Sequence, residues 1–345
     1  MELIKPINVT SGKLNKDQRL TSAEMAKLWS TYMGNSMSNR ILSYYLKHVE
    51  DKDIKILLEN GYNLTVDFMN RIKDIFTKEK FPIPVGFTED DVYLKAPRLF
   101  EDEFYVHYLK YAAKAGLSLY AVAIPLVMRD DIRELFSHCN KYTELFIQQI
   151  NLVLMNKGFI IKPPEIPVPE NVNFVHKQKF LNGFFGEIRP LHAMEITHLY
   201  DNMENNTTSK ALLIGFSQVA RNSNVREFLH RGIKITDKEI QMYQKKLQNE
   251  NLPAPSLLDH LVTTSNASPF SDKIMLFHKV DMFNIKIRHF GNSMSLNGRR
   301  DIGLMYAQSI SDVARYAEDG ANILIDNGWM ERPPSAVDRE NISSE

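Results

Sequence analysis

Apolar and polar residues follow one another along this chain with the period of a helix, in blocks of similar length. After Thr21 the residues Met25, Leu28 and Tyr32 recur at spacings of three and four, which predicts a helix running to about His48. Thr21-Ser22-Ala23-Glu24 has the form of a capping box, with Thr21 as N-cap and Glu24 reaching back. An acidic break at Glu50 to Asp53 leads into a second helix ending near Glu79, where Phe81-Pro82-Ile83-Pro84 stops it. About fifteen residues without clear periodicity follow. A third helix is predicted from about Phe100 to Met128, with Pro125 placed to bend or end it. Asp131-Ile132-Arg133-Glu134 reads as a second box, opening a fourth helix that ends near Gly158.

The same pattern then occurs again. Shifted by 171 residues, Leu20 meets Leu191, Glu24 meets Glu195, Leu42 meets Leu213, Gly61 meets Gly232 and Phe81-Pro82-Ile83-Pro84 meets Leu252-Pro253-Ala254-Pro255. Beyond the prolines the shift becomes 170, and Phe100 meets Phe270, Asp102 meets Asp272, Arg129 meets Arg299 and Pro163-Pro164 meets Pro333-Pro334. A fixed offset over most of the chain marks a tandem duplication. The expected organisation is an N-terminal extension over 1–19, repeats over 20–164 and 191–334, a linker over 165–190 and a tail over 335–345. The linker starts proline-rich and stiff, but its aromatic end (Phe174, Phe180, Phe184, Phe185) is too apolar for a free tether and is expected to pack between the repeats.

Helix length selects the topology. A helix of about 28 residues is about 42 Å long. The first and second helices are joined too tightly to be other than antiparallel neighbours, and so are the third and fourth. The middle connection, about 15 to 18 residues, reaches roughly 50 to 60 Å when extended and so can climb the whole bundle. The expectation is all-α: two ferritin-like four-helix bundles, each with one long crossover between helices two and three.

That fold class directs attention to Glu195-Ile196-Thr197-His198, because Glu-x-x-His is the half-site of di-iron bundles. Its geometry argues against a ligand role. At 100° per residue from Ile196, the residues Leu199, Met203, Thr207, Lys210 and Ile214 mark the inward stripe, while His198 falls on the far side and Glu195 at the edge. Glu195 also matches Glu24, which is placed to cap a helix, and Lys27 stands where a second histidine would be needed. A capping or interdomain role is the expectation. Other polar residues do fall inward: His278 at the position of Tyr108, Asp281 at Tyr111, Glu239 at Phe68 and Asp319 at Gln149. Buried polar groups cost free energy unless paired. His278 and Asp319 would lie about 12 Å and about 14 Å from the same bundle end. A His278–Asp319 contact is therefore expected in the second repeat, either as a satisfied polar pair or as two ligands of one metal.

Composition narrows the classes of function. Forty-two basic residues balance forty-two acidic ones, so no general attraction to nucleic acid or anionic membrane arises. No apolar run approaches the roughly 18 residues of a membrane span, and the start of the chain lacks a signal-peptide core. The single cysteine, Cys139, falls on the inward stripe of the fourth helix and reads as an inert core thiol in a reducing, cytoplasmic setting. No phosphate-binding glycine loop or zinc-finger spacing occurs.

Several long motifs stand out together: LTSAEMAKLWSTYM, FPIPVGFTEDDV, RPLHAMEITHLYDN, LIGFSQVARNSNVREF and YAEDGANILIDNGWMERPP. Across nearly the whole chain they resemble the duplicated ferritin-like proteins of spore-forming bacteria classed as domain of unknown function 3231. The closing NGWMERPP is also similar to the ending of the spore coat protein F family. The resemblance implies a ferritin-like fold, bacterial origin and a link to the spore or its coat, but no catalytic residues. Two functional classes follow. One is a non-catalytic structural or interaction protein, with self-association or spore-coat proteins as partners and with Phe159, Pro163, Pro164, Trp329, Pro333 and Pro334 either as docking elements or as chain ends packed against their own bundle. The other is a metal- or small-ligand-binding oxidoreductase type that uses one degenerate bundle. No cofactor is assigned in the first class; a bound metal belongs to the second.

Overall fold

A computed structural model describes residues 18–339. The expected N-terminal extension lies outside the described residues up to position 17, as does 340–345 of the tail. Eight α-helices are present among the described residues: α1 Ser22–His48, α2 Lys52–Lys78, α3 Asp102–Ala123, α4 Asp130–Asn156, α5 Ala193–Val219, α6 Ser223–Gln248, α7 Asp272–Leu296 and α8 Arg300–Asp326. Each repeat is a helical hairpin, a long crossover and a second hairpin. In the second repeat α5 packs on α6, α6 on α8, α8 on α7 and α7 on α5.

The helix ends follow from local chemistry. Thr21 and Glu24 close the box expected from the sequence. Asp51 and its counterpart Asn222 cap α2 and α6 by accepting from the backbone N–H groups two and three residues further on. Asp102 and Asp272, each on the first turn of the third helix of its repeat, accept from backbone N–H groups of the hairpin turn at Glu50-Asp51 and at Arg221-Asn222. Pro125 ends α3 through a 3-10 turn, Ile124–Leu126. Gly158 and Gly328 take left-handed φ (71° and 68°) after α4 and α8, and the chain turns back so that Phe159 and Trp329 pack on the core.

Two expectations are corrected. The box expected at Asp131 to Glu134 does not form: α4 starts at Asp130 behind Arg129, which makes no side-chain cap. Glu24 serves instead, its Oε1 accepting from the N–H groups of Met128 (3.0 Å) and Arg129 (2.9 Å). The linker does not pack between the repeats either. Phe180 lies under the Arg189 guanidinium at 4.2 Å, but Phe174, Phe184 and Phe185 are exposed. The reason is that the repeats already meet through their own crossovers.

That meeting is pseudo-symmetric. Val92 pairs with Phe270 and Phe100 with Val262 in isolated antiparallel bridges, and each bridge is the other with the repeats exchanged. The backbone bonds follow the same rule: Tyr93 N to Pro269 O (2.7 Å) mirrors Thr263 N to Leu99 O (3.0 Å), and Glu101 N to Leu261 O (2.9 Å) mirrors Ser271 N to Asp91 O (3.0 Å). An isologous interface of this kind is what a two-fold dimer makes. Here it joins two halves of one chain. Phe100 and Phe270 each reach the first helix of the other repeat: Phe270 meets the Tyr44 ring edge-on at 5.1 Å, and Phe100 lies over Gly215, the counterpart of Tyr44. The chain ends also cross over. Tyr200 of α5 donates to the carbonyl of Ile161, and the Glu331 carboxylate accepts from Val85 N (3.1 Å) and Gly86 N (2.6 Å).

A Cβ on Gly215 would lie 2.5 Å from the Phe100 ring. Gly215→Ala is expected to lower stability by about 1–3 kcal/mol. Gly291→Ala, in a helix and with nothing within 4 Å of the added atom, should raise it by about 0.5–1 kcal/mol. Urea denaturation of both variants checks this; an unchanged midpoint for Gly215→Ala would contradict the close approach.

Candidate functional site

Four polar groupings and one cavity are candidates. The first contains the Glu-x-x-His motif. Glu195 is fully buried at the start of α5. Its carboxylate accepts from both terminal nitrogens of Arg189 (2.8 and 2.8 Å), from His192 N (3.1 Å) and from Arg299 N (2.9 Å). Burial alone would raise its pKa; these donors hold it below the usual carboxylate range. His198, half-buried one turn along, makes no hydrogen bond to it, and burial lowers its pKa. Glu195 alone is a helix-end clasp that ties α5 to the start of α8, as Glu24 ties α1 to α4. Glu195 has no lone pair left over for a metal.

The second grouping is inside the second repeat. Glu239, buried on α6, accepts from Lys286 Nζ of α7 at 2.8 Å and from Asn206 Nδ2 of α5 at 3.1 Å. Lys286 also reaches Thr236 (3.4 Å) and lies 4.4 Å from the Phe283 ring centre. Burial pushes Glu239 up and Lys286 down, and each opposes the other's shift. Beside them, Lys210 bridges Asp237 (2.7 Å) and Asp259 (2.8 Å).

The third lies where the repeats meet. The Tyr108 hydroxyl and Nε2 of His278 share a hydrogen bond of 2.8 Å. These residues are counterparts, so the bond sits on the pseudo-two-fold axis. The expected His278–Asp319 contact is therefore corrected: Asp319 bonds Arg231 at 2.7 Å on a half-exposed surface. The inward stripe of α8 runs through Val313, Tyr316, Ala317 and Gly320, and Asp319 lies beside it. Burial drives His278 down to about 3. Asp281, one turn on and partly buried, is pushed up to about 6 by burial. The fourth joins α3 to α5, where Lys114 pairs with Asp201 and bonds Asn205 (2.8 Å), and Lys110 pairs with Glu204 (2.7 Å). Cys139 is buried, its thiol pushed up to about 12 by burial.

The first repeat differs at the place that Glu239 and Lys286 fill in the second. The counterparts are Phe68 and Gly116, and there the chain encloses a cavity of about 360 Å³. Met33, Met37, Leu64, Leu119 and Phe146 supply its apolar wall, and α7 of the second repeat closes one side with His278, Asp281 and Arg288. Sequence reasoning found His278 and Asp281 but not the cavity. The signal available was the pair of substitutions Phe68/Glu239 and Gly116/Lys286. Among the described residues no group of three or more His, Cys, Asp or Glu is placed to hold a metal ion, and no helix is long and apolar enough to cross a membrane.

These features define a duplicated all-helical protein whose halves join through their crossovers and whose interiors have diverged. The chain belongs to the family described as "Protein of unknown function (DUF3231)", which it matches twice, over residues 9–172 and 179–342. It is also similar to a crystal structure from Bacillus halodurans C-125 described as a "putative spore coat protein", at 19% identity over 46% of this chain and 98% of that one, with a TM-score of 0.38. None of the curated proteins matches.

Lys286→Met strands the buried Glu239 and should cost about 3–5 kcal/mol, whereas the double variant Glu239→Leu/Lys286→Met should recover most of that loss. Denaturant midpoints read the difference; equal losses in the single and double variants would remove the pair. His278 gives a second prediction. Unfolded chains protonate it through the ordinary imidazole range, while the folded chain keeps it neutral to about 3, so it makes stability fall as pH drops from neutrality. Asp281, held higher in the folded chain, acts in the opposite sense below about 6. His278→Gln should therefore lose less stability than the parent between about pH 7 and pH 4 in thermal melts.

Proposed function

We propose that this is a non-catalytic structural or interaction protein made of two ferritin-like four-helix bundles, working in the cytoplasm or spore of a spore-forming bacterium. The observation that carries the reading is the Lys286 ammonium 2.8 Å from Glu239. The second repeat supplies its own internal cation at its inward carboxylate. A metal ion there would have to displace Lys286 and leave an ammonium unpaired in the core, at a cost of several kcal/mol. In the first repeat the matching positions, Phe68 and Gly116, offer no ligand atom. The spore setting rests on the motif resemblance, with coat proteins or a second copy of the chain as partners. The cavity of the first repeat favours the ligand-binding half of the alternative class, a ferritin-like bundle adapted to hold a small molecule.

Protein purified without added metal should contain only substoichiometric iron, manganese and zinc by elemental analysis. One equivalent of any of these per chain would overturn the non-catalytic reading.

A further inference from the structure

The cavity of the first repeat has the shape and lining of a built site. It follows α1 from Trp29 to Leu42 and α3 from Tyr108 to Tyr120, lengths of about 20 Å and about 18 Å by helix rise. It is therefore elongated, and its volume of about 360 Å³ lies within the span of roughly 300–1,000 Å³ of small-molecule sites. Its wall is mostly apolar. Two fully or almost fully buried side chains that line it carry an atom with no hydrogen-bond partner: Thr31 Oγ1 and His278 Nδ1.

The charges at one side fix the sign of the ligand. Arg288 of α7 lines the cavity, is exposed, and makes no ion pair or hydrogen bond among the described residues. Lys27 of α1 is close enough for Arg288 to lower its pKa, after burial, and it too makes no ion pair among the described residues. Asp281 is the acid on the same side. Two cations against one carboxylate leave a positive field at a place where a guanidinium is free to bind an oxyanion through two parallel N–H bonds.

We propose that the first repeat binds a single-chain amphiphile with an anionic head, its chain lying between α1 and α3 and its carboxylate on Arg288. The second repeat contributes the head-group residue, so the site exists only because the two halves are joined. This deepens the ligand-binding reading above and does not depend on the metal content of the protein.

Trp29 lines the cavity and Trp329 is the only other tryptophan, so Trp329→Phe protein reports the site by fluorescence. Dodecanoate is the probe and dodecanol its uncharged control. The expected result is saturable one-to-one binding of dodecanoate, weakened about tenfold or more in Arg288→Gln, with dodecanol binding unchanged by that variant. Gly34→Leu should abolish both, because Gly34 lines the cavity and a Cβ there meets nothing within 4 Å, which leaves room for the longer side chain to fill it. A melting curve on Gly34→Leu confirms that it folds, and Ser38→Leu on the same wall repeats the test if it does not. No saturable binding of either probe would overturn the proposal. So would binding that survives both filled variants, or equal affinities for dodecanoate and dodecanol with no effect of Arg288→Gln. Elemental analysis of the same preparation is read separately, so a metal-bearing protein that binds dodecanoate sinks the non-catalytic reading alone.

Discussion

The pairing of the two crossovers is the constraint on which the rest of this molecule depends. A crossover long enough to climb a four-helix repeat exposes backbone N–H and C=O groups over its whole length, and burying them unpaired is expensive. Here each crossover meets its own counterpart in antiparallel register, so that the backbone bonds made by one half are made again by the other. The aromatic residues at the ends of the crossovers then insert across the interface. Phe100 stacks on Phe104 at 4.3 Å and faces the second repeat's α5, while Phe270 faces Tyr44 and Phe216. Neither repeat could be cut away without stripping the other's crossover of its partners and exposing these rings.

Duplication inside one chain frees the halves from identity. In a two-fold homodimer, a residue on the axis must meet itself. Tyr108 meets His278 here, a neutral donor–acceptor pair that a symmetric dimer could not assemble in one chemistry. The same freedom lets Gly215 stand opposite Tyr44: one first helix accommodates an incoming phenylalanine by having no side chain, the other by offering a ring edge. It also lets one interior hold Glu239 and Lys286 while the other holds Phe68 and Gly116. Specialisation of the first repeat for an apolar guest and of the second for rigidity is thus a consequence of the fused interface.

Much of this was legible in the sequence, and the limits of that legibility are physical. Helix bounds came through because capping and glycine termination are local: Thr21, Glu24, Pro125, Gly158 and Gly328 act within a few residues of themselves. The offset between the copies exposed which inward positions had diverged, and it singled out His278, Asp281 and Glu239. It could not say what each would meet. Matching Asp319 to Gln149 misplaced it because a residue beside the stripe and one on it differ by little in angle, and Arg231 on α6 then decides the matter. Neither Glu24's reach to the start of α4 nor the pairing of the crossovers has a local signature, since both join residues about a hundred or more apart. The linker aromatics misled for the same reason: apolar content signals burial only where a face remains to be covered.

The second repeat's core shows what asymmetry costs. Lys279, at the position of Leu109, is fully buried. Its ammonium has no carboxylate: Nζ bonds Ser209 Oγ at 2.8 Å and the Ser209 carbonyl at 3.2 Å, beside the Met282 sulfur. Burial, and then Lys286, push its pKa well below the usual lysine range, so the neutral amine is favoured. His278, its neighbour, is held neutral by the same burial. Two basic residues are thus kept uncharged side by side, and Lys286 is held on Glu239 two turns further along α7. Glu239 is matched by a lysine of its own repeat, whereas a metal-binding bundle turns its inward carboxylates and imidazoles on the ion. What this core leaves open is the apolar space across the axis, in the half that carries no lysine at those positions.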